Sequence, residues 1–218
     1  MRPPDPQTDE KTQEERWLER ARAAATRGAF GLHTHWTAPD HARPSEGLPS
    51  ERVTGELAWL RERGLEPTLF CGGGWYSDFG VALVVSRDGV VDCTPTRFVP
   101  TYLAADAPRL ELAQPATIVL PDGAELTALP TTRSLGMLAR AFLRPWTLSE
   151  PVLHVYCHDT DLVDPRRRRA LTMALTLLGR LRKPLDLSAF RASSAALPRV
   201  RFEDCARPKP SSTKPPGV

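Results

Sequence analysis

The feature that most constrains the fold is one local pattern that occurs four times along the chain. In each case a short apolar run of β-prone residues is followed by a cluster of polar and aromatic residues. The clusters are residues 33–36, 71–78, 92–94 and 157–161. An apolar strand that leads through a polar loop into a helical pattern is typical of a βα unit. In barrels of such units the carboxyl ends of the strands meet on one face, where active sites are built. The pattern therefore predicts a parallel α/β enzyme.

Composition excludes several other classes of protein. The chain has 218 residues, 41% of them hydrophobic, and a net charge of +3, which favours one globular domain. Arg166 to Arg169 follow Pro165 and are expected at a solvated helix start, so nucleic-acid binding is not predicted. The four cysteines form no CxxC pair, which argues against a disulfide scaffold or a zinc ribbon. With no membrane-length apolar run and no signal peptide, we expect a cytoplasmic protein that does not contact a membrane.

The elements follow from periodicity, caps and turn residues. We predict disordered tails at residues 1–11 and 190–218 around one α/β domain at residues 12–189. Asp122-Gly123 between two apolar runs predicts a β-hairpin, and Asp164-Pro165 predicts a helix start. Residues 94–114 are expected to be irregular. Helices are predicted over residues 13–28, 50–64, 78–85, 133–143 and 165–182, and strands at residues 33–35, 67–71, 90–93 and 152–158.

The first cluster predicts a metal site. His33 and His35 are two residues apart on a strand, so both side chains lie on one face and both imidazoles can reach a single ion. A third histidine, His41, follows in the next loop. The alternative is a buried structural pair. We favour a divalent metal, with Zn²⁺ as the expected ion.

The fourth cluster is suited to proton transfer. His158 is flanked by carboxylates, which suits general acid–base chemistry near neutral pH. Asp161 is equally suited to capping the next helix. Cys157 is expected to point away from His158 and to be buried. In the third cluster, Asp92 ends a two-valine strand, where it could orient a histidine, bind a metal or form a turn.

The second cluster predicts a ligand-binding loop. The glycines at 72–74 permit close backbone approach to a ligand, and they lack the spacing of a phosphate-binding loop. Aromatic rings on either side could stack on a sugar. Cys71 could act as a thiol nucleophile only beside a base. The expected substrate-binding residues are Trp36, Gly73, Gly74, Trp75 and Tyr76.

In this order the clusters resemble the polysaccharide deacetylase (NodB-like) family over about residues 12–185. Gly31-Leu32-His33-Thr34-His35 corresponds to the family's metal-binding strand end, and residues 70–75 to the loop that bounds its cleft. Asp92 corresponds to the aspartate that tunes the catalytic histidine, and His158-Asp159 to the motif whose histidine is the general acid. Leu129-Pro130 resembles a segment before the last helices of many members. The resemblance implies a distorted (β/α) barrel with a metal-dependent hydrolase site.

The chain departs from this family in three ways. Its histidines are two residues apart rather than four, so His35 or His41 could be the second ligand. Cys71 stands where the family has an arginine. The first family motif, a strand that ends in paired aspartates, has no counterpart before His33. Either the chain begins late and lacks the first strand of the barrel, or it is a degenerate member that binds without catalysis.

The resemblance implies metal-dependent hydrolysis of an amide or N-acetyl group on a carbohydrate or small molecule. The implied catalytic residues are His158, Asp92 and Asp159, and the implied metal ligands are chosen among His33, His35 and His41. Because the paired aspartates are missing, this chain could be inactive. The alternatives are a non-catalytic carbohydrate-binding or partner-binding protein and a metal-independent hydrolase that uses Cys71 or Cys157.

Overall fold

A computed structural model describes residues 3–4, 13–36, 43–100, 103–104, 106–142 and 148–208, without the side chains of Asp159, Thr160 and Ser188. Eight helices and ten strands lie within these ranges. The helices are α1 Glu14–Ala25, α2 Pro49–Glu62, α3 Phe79–Asp88, α4 Leu135–Ala141, α5 Asp159–Val163, α6 Pro165–Leu181, α7 Leu187–Ala192 and α8 Phe202–Cys205. The strands are β1 Gly31–Thr34, β2 Leu69–Gly72, β3 Val91–Asp92, β4 Arg109–Leu110, β5 Ala116–Val119, β6 Glu125–Ala128, β7 Arg133–Ser134, β8 Val155–Tyr156, β9 Arg199–Arg201 and β10 Ala206–Arg207.

The centre of the fold is a six-stranded sheet in the order β1-β2-β3-β6-β5-β9. The strands β1, β2, β3 and β6 are parallel to one another, whereas β5 is antiparallel to β6 and parallel to β9. Strand β7 pairs in parallel with β8 outside this sheet, and β4 pairs with β10. The mostly parallel sheet with its helices confirms the predicted α/β class.

Helices α1, α2 and α3 cover one face of the sheet, because each presents a buried apolar stripe. Ala21 of α1 and Val81 of α3 are completely buried against sheet residues such as Leu32 and Phe70. The other face carries a smaller apolar cluster, formed by Val91, Cys93, Leu129 and Phe190. We call these the helix-covered face and the opposite face. Side chains alternate between them along each strand.

Short-range sequence signals fix several element boundaries. Asp78 begins α3 by accepting a hydrogen bond from the Val81 backbone N–H at 2.8 Å. Asp164 caps α6 in the same way, with Pro165 at its first position. The predicted hairpin is confirmed, since β5 and β6 pair across a turn in which Gly123 has φ +88°. That backbone conformation favours glycine.

The predicted disordered tail is wrong for residues 190–208. Strand β9 adds to the edge of the central sheet beside β5, and Val200 pairs with Ile118. Val200 and Phe202 pack against the main core, and Cys205 is buried in it. These apolar side chains are enough to order a segment that is otherwise rich in Pro, Ser and Arg. Residues 209–218 lie outside the described residues.

Two smaller differences concern strands. Residues 94–114 contain β4, which pairs with β10 in the segment expected to be disordered. The predicted strand at residues 152–158 is restricted to β8, which contacts β7 rather than the central sheet. Within the described residues β1 and β9 are the edge strands of an open sheet. No helix among them has the length and apolar character needed to cross a membrane.

Candidate functional site

The carboxyl ends of β1, β2 and β3 bring three of the four polar clusters to one edge of the sheet. These strands are parallel neighbours, with His33 opposite Cys71 and Phe70 opposite Asp92. His33 therefore lies on the opposite face with Cys71, and Asp92 lies on the helix-covered face with Phe70. The strand register therefore brings His33, Cys71 and Asp92 to the same edge of the sheet. The side chains of His33 and Cys71 lie on one face there, and the side chain of Asp92 lies on the other.

The tautomer of His33 is fixed by its neighbour on β2. Its Nδ1 lies 3.0 Å from the Cys71 carbonyl oxygen. A carbonyl oxygen can only accept, so Nδ1 carries the proton and Nε2 keeps its lone pair. Burial, followed by the nearby His35, lowers the pKa of His33 to about 4, so the ring is neutral at pH 7. A neutral imidazole held through Nδ1–H by a backbone carbonyl is the usual form of a metal ligand.

The spacing of His33 and His35 suits two ligands of one ion. Their ring centroids are 4.8 Å apart, at an interplanar angle of 79°. A Zn–N bond of about 2.0 Å and a tetrahedral angle would separate two such centroids by about 5 Å. His41 lies outside the described residues. Among the residues described, no group of three or more His, Cys, Asp and Glu side chains is placed to hold a metal ion.

Asp92 does not join this pair. Its Oδ1 accepts a hydrogen bond from the Thr94 backbone N–H at 2.8 Å, as in a turn. Its Oδ2 is buried without a hydrogen-bond partner in the described part of the chain. Burial raises the pKa of Asp92 to about 6. The carboxylate expected to orient a catalytic histidine thus lies on the helix-covered face, away from the His33 side chain.

His158 reaches the same edge from the end of β8. Its ring is exposed and packs edge-on against Tyr156, with centroids 5.6 Å apart. Its backbone N–H donates to Asp161 Oδ2 at 2.9 Å, and Asp161 also pairs with Arg167 at 2.5 Å. Asp161 is therefore the capping residue of this turn. A charge on His158 is close enough to lower the pKa of His33, which brings the first and fourth clusters together.

For two other residues of the fourth cluster, Asp159 and Cys157, the sequence-based prediction is not confirmed. The side chain of Asp159 lies outside the described residues, so its catalytic role stays a prediction. Cys157 is exposed, not buried as expected, because β8 ends at Tyr156 and the chain turns toward solvent there.

The glycines of the second cluster permit a close approach within the chain itself. A Cβ on Gly72 would lie 2.3 Å from the Tyr76 carbonyl oxygen, so no larger residue fits. Gly74 has φ +61° and Trp75 has φ +62°. A left-handed conformation at tryptophan is strained, and such strain is typical of functional loops. Gly73 is buried, and Gly74 retains some exposed surface.

The aromatic residues predicted to stack on a sugar lie inside the protein. Trp36 is 1% exposed and donates from Nε1 to the Gly73 carbonyl oxygen at 2.8 Å. Tyr76 packs against Trp36 and donates to Asp78 Oδ2. Trp75 is 6% exposed and packs edge-on against Tyr156, with centroids 4.7 Å apart. These rings support the loop and leave almost no free face for a ligand.

The cysteines offer no activated nucleophile. All four are free thiols. Burial, followed by the nearby Asp92, raises the pKa of Cys71 to about 12. Partial desolvation, followed by the nearby Asp161, also raises the pKa of the exposed Cys157. Because the thiolate is the nucleophilic form, both thiols are poor candidates at neutral pH.

Two features of this region gave no signal in the sequence. Phe98, in a segment expected to be irregular, packs against Trp75 and Tyr156. Glu150 is 3% exposed, and its Oε1 accepts from Arg97 at 2.8 Å and from Arg133. Glu150 is far in sequence from both arginines, so only the tertiary fold brings them together.

Neither a protein-family model nor a curated protein sequence matches this chain. The assignment of function therefore depends on the geometry of the site.

Proposed function

We propose that this protein is a metal-dependent hydrolase of amide or N-acetyl groups on carbohydrates, and that its open sheet is a distorted (β/α) barrel of the NodB-like type without its first strand. The observation that carries the proposal is the pair His33 and His35. The first ring is neutral and keeps its lone pair on Nε2, and the second lies at the spacing of two ligands of one ion. Zn²⁺ is the ion that best suits two imidazoles.

The histidine pair and the residues near it each have a defined part in this proposal. His33 and His35 would hold the ion, and the Cys71 carbonyl group fixes the His33 ring through Nδ1–H. A divalent ion held there supplies Lewis-acid polarisation of a carbonyl group. His158, exposed at the end of β8, donates a proton to the leaving amine. Asp161 anchors the backbone of His158 and so positions its ring at the edge of the site.

The test is acetate release from chitin oligosaccharides by the full chain, with Zn²⁺ or Co²⁺ added after treatment with a chelator. Activity should require the metal. His158→Gln should lower the rate by about 10²-fold or more, which is the usual worth of general acid–base help. Cys157→Ser is the matched control, because Cys157 is the exposed neighbour of His158. Metal-independent activity, or activity lost in Cys157→Ser, would contradict the proposal.

A second candidate is a non-catalytic carbohydrate-binding or partner-binding protein on the same fold. It is favoured by the position of Asp92, whose carboxylate faces away from His33. Hydrolysis needs a base, and no metal-binding carboxylate lies beside the histidine pair among the described residues. Binding of chitin oligosaccharides that persists in His158→Gln, without acetate release by the parent chain, would favour this candidate.

A further inference from the structure

Helix α6 carries an unusual share of the exposed apolar surface. Ten large apolar side chains are exposed in the described part of the chain, and seven of them lie between residues 162 and 185. Ala174 is the one fully buried residue that α6 contributes among its 17 residues. Helices in proteins are held mainly by packing of their apolar faces, so α6 is weakly supported by the body of the protein.

Four exposed apolar residues of α6 form a continuous stripe. Ala170, Met173, Leu177 and Leu181 follow one another at spacings of three or four residues, so they lie on one side of the helix. Met173 is 66% exposed and Leu181 is 63% exposed. The stripe is about 16 Å long at 1.5 Å per residue. Apolar residues at this spacing form the seam between two packed helices. We call these four residues the α6 stripe.

The charged side chains of α6 itself are all positive. Residues 165–181 include five arginines and no acidic residue. Arg169 lies one turn before Met173, and Arg180 lies one turn after Leu177, so both guanidinium groups border the stripe. A second copy of α6 packed on this stripe would bring like charges together. A helix with carboxylates beside its apolar residues would instead form ion pairs at both ends.

We propose that the α6 stripe is the docking site for an amphipathic helix of a partner protein, with acidic residues on either side of its own apolar stripe. The apolar residues supply most of the affinity through burial. The arginines select acidic partners and set the orientation. This surface lies on α6 and does not depend on the histidine pair or on the proposed hydrolase activity.

The probe is a displayed library of 21-residue peptides. Each carries leucines at helix-packing spacing and a random choice of Glu or Lys at every flanking position. Selection on the full chain should enrich Glu over Lys at the flanks. A selected peptide, synthesised and measured by fluorescence anisotropy, should bind the double variant Met173→Gln/Leu177→Gln at least about tenfold more weakly. Leu175→Gln, which removes an exposed leucine outside the stripe, should change Kd by less than about twofold.

Four results would overturn the proposal. The first two are that no peptide is enriched, and that Glu and Lys are enriched equally at the flanks. The third is that Leu175→Gln weakens peptide binding as much as Met173→Gln/Leu177→Gln does. The fourth is that peptide binding is lost only in variants that circular dichroism shows to be unfolded. Two further measurements separate the other occupants. Sedimentation with phosphatidylserine vesicles that depends on Met173 and Leu177 would assign the stripe to a membrane surface. Concentration-dependent dimerisation with the same dependence would assign it to a second copy.

Discussion

The imidazole Nδ1 of His33 lies 3.0 Å from the backbone carbonyl oxygen of Cys71 on the neighbouring strand. The contact is made by the backbone of residue 71, so the position of the His33 ring does not require a thiol. Any residue whose backbone carbonyl oxygen lies in this place could orient the His33 ring in the same way.

Cys71→Ala is expected to leave the histidine pair intact. The hydrogen bond to His33 remains, and the lost thiol was protonated, since burial raises its pKa to about 12. Zn²⁺ affinity and any hydrolase rate should change by less than about twofold. The measurements are calorimetric Zn²⁺ titration and acetate release. Loss of activity with an unchanged affinity for Zn²⁺ would instead support a thiol nucleophile.

Asp92→Asn is expected to change how stability depends on pH. Burial raises the pKa of Asp92 from 3.8 to about 6, so between these values the folded state binds more protons than the unfolded state. Its contribution to the free energy of unfolding therefore falls as pH rises from about 4 to 6, by about 3 kcal/mol in total. Asn keeps the shape and removes the titration.

The readout is the difference in unfolding free energy between Asp92→Asn and the parent chain, from urea denaturation at pH 4 and pH 7.5. As pH rises toward 7.5, the free energy of unfolding of Asp92→Asn should increase relative to that of the parent chain. Asp161→Asn is the control of opposite sign, because hydrogen bonds from the His158 backbone and then from Arg167 lower the pKa of Asp161. That variant should lose stability relative to its parent as pH rises. A pH-independent difference for Asp92→Asn would show that its carboxyl group titrates normally.

The two arginines that share Glu150 should differ in their contribution to stability. The Arg133 side chain is 13% exposed, whereas that of Arg97 is 48% exposed. Buried ion pairs are costly to break, and exposed pairs contribute little. Arg133→Met should lower the free energy of unfolding by about 2 kcal/mol or more, and Arg97→Met by less than about 1 kcal/mol. Equal losses would show that exposure does not govern this cluster.

Gly72→Ala is expected to distort the loop before Trp75. The added Cβ would lie 2.3 Å from the Tyr76 carbonyl oxygen, and backbone must move to relieve the contact. We expect a loss of about 2 kcal/mol or more. Gly55→Ala is the matched control, since a Cβ there meets nothing within 4 Å in the middle of α2. It should stabilise by about 0.5–1 kcal/mol. The measurement is the thermal unfolding of both variants. A Gly72→Ala variant as stable as the parent chain would contradict the described loop.

Elements that depend on local chemistry could be predicted from the sequence. Asp78 and Asp164 cap helices, and Asp122-Gly123 turns a hairpin, because each acts on residues within a few positions. The pairing of His33 with His35 on one face could also be predicted, since it follows from strand alternation alone.

Features that depend on strand register could not be predicted. Strand β3 has two residues, and the face that Asp92 occupies is set by its pairing with Phe70 on β2. Strand β9 enters the sheet because Val200 pairs with Ile118, more than 80 positions earlier in the chain. Trp36 follows a predicted strand, yet its burial depends on the loop that bonds to its Nε1.

The most direct test of the central claim is a calorimetric titration of the chelator-treated full chain with Zn²⁺ at pH 7.5. The account predicts saturable binding of about one equivalent, because His33 is neutral and His35 lies at ligand spacing. His33→Gln and His35→Gln should each weaken binding at least about tenfold, whereas His158→Gln should change it by less than about twofold. No saturable binding, or binding indifferent to His33→Gln and His35→Gln, would contradict the proposed metal site.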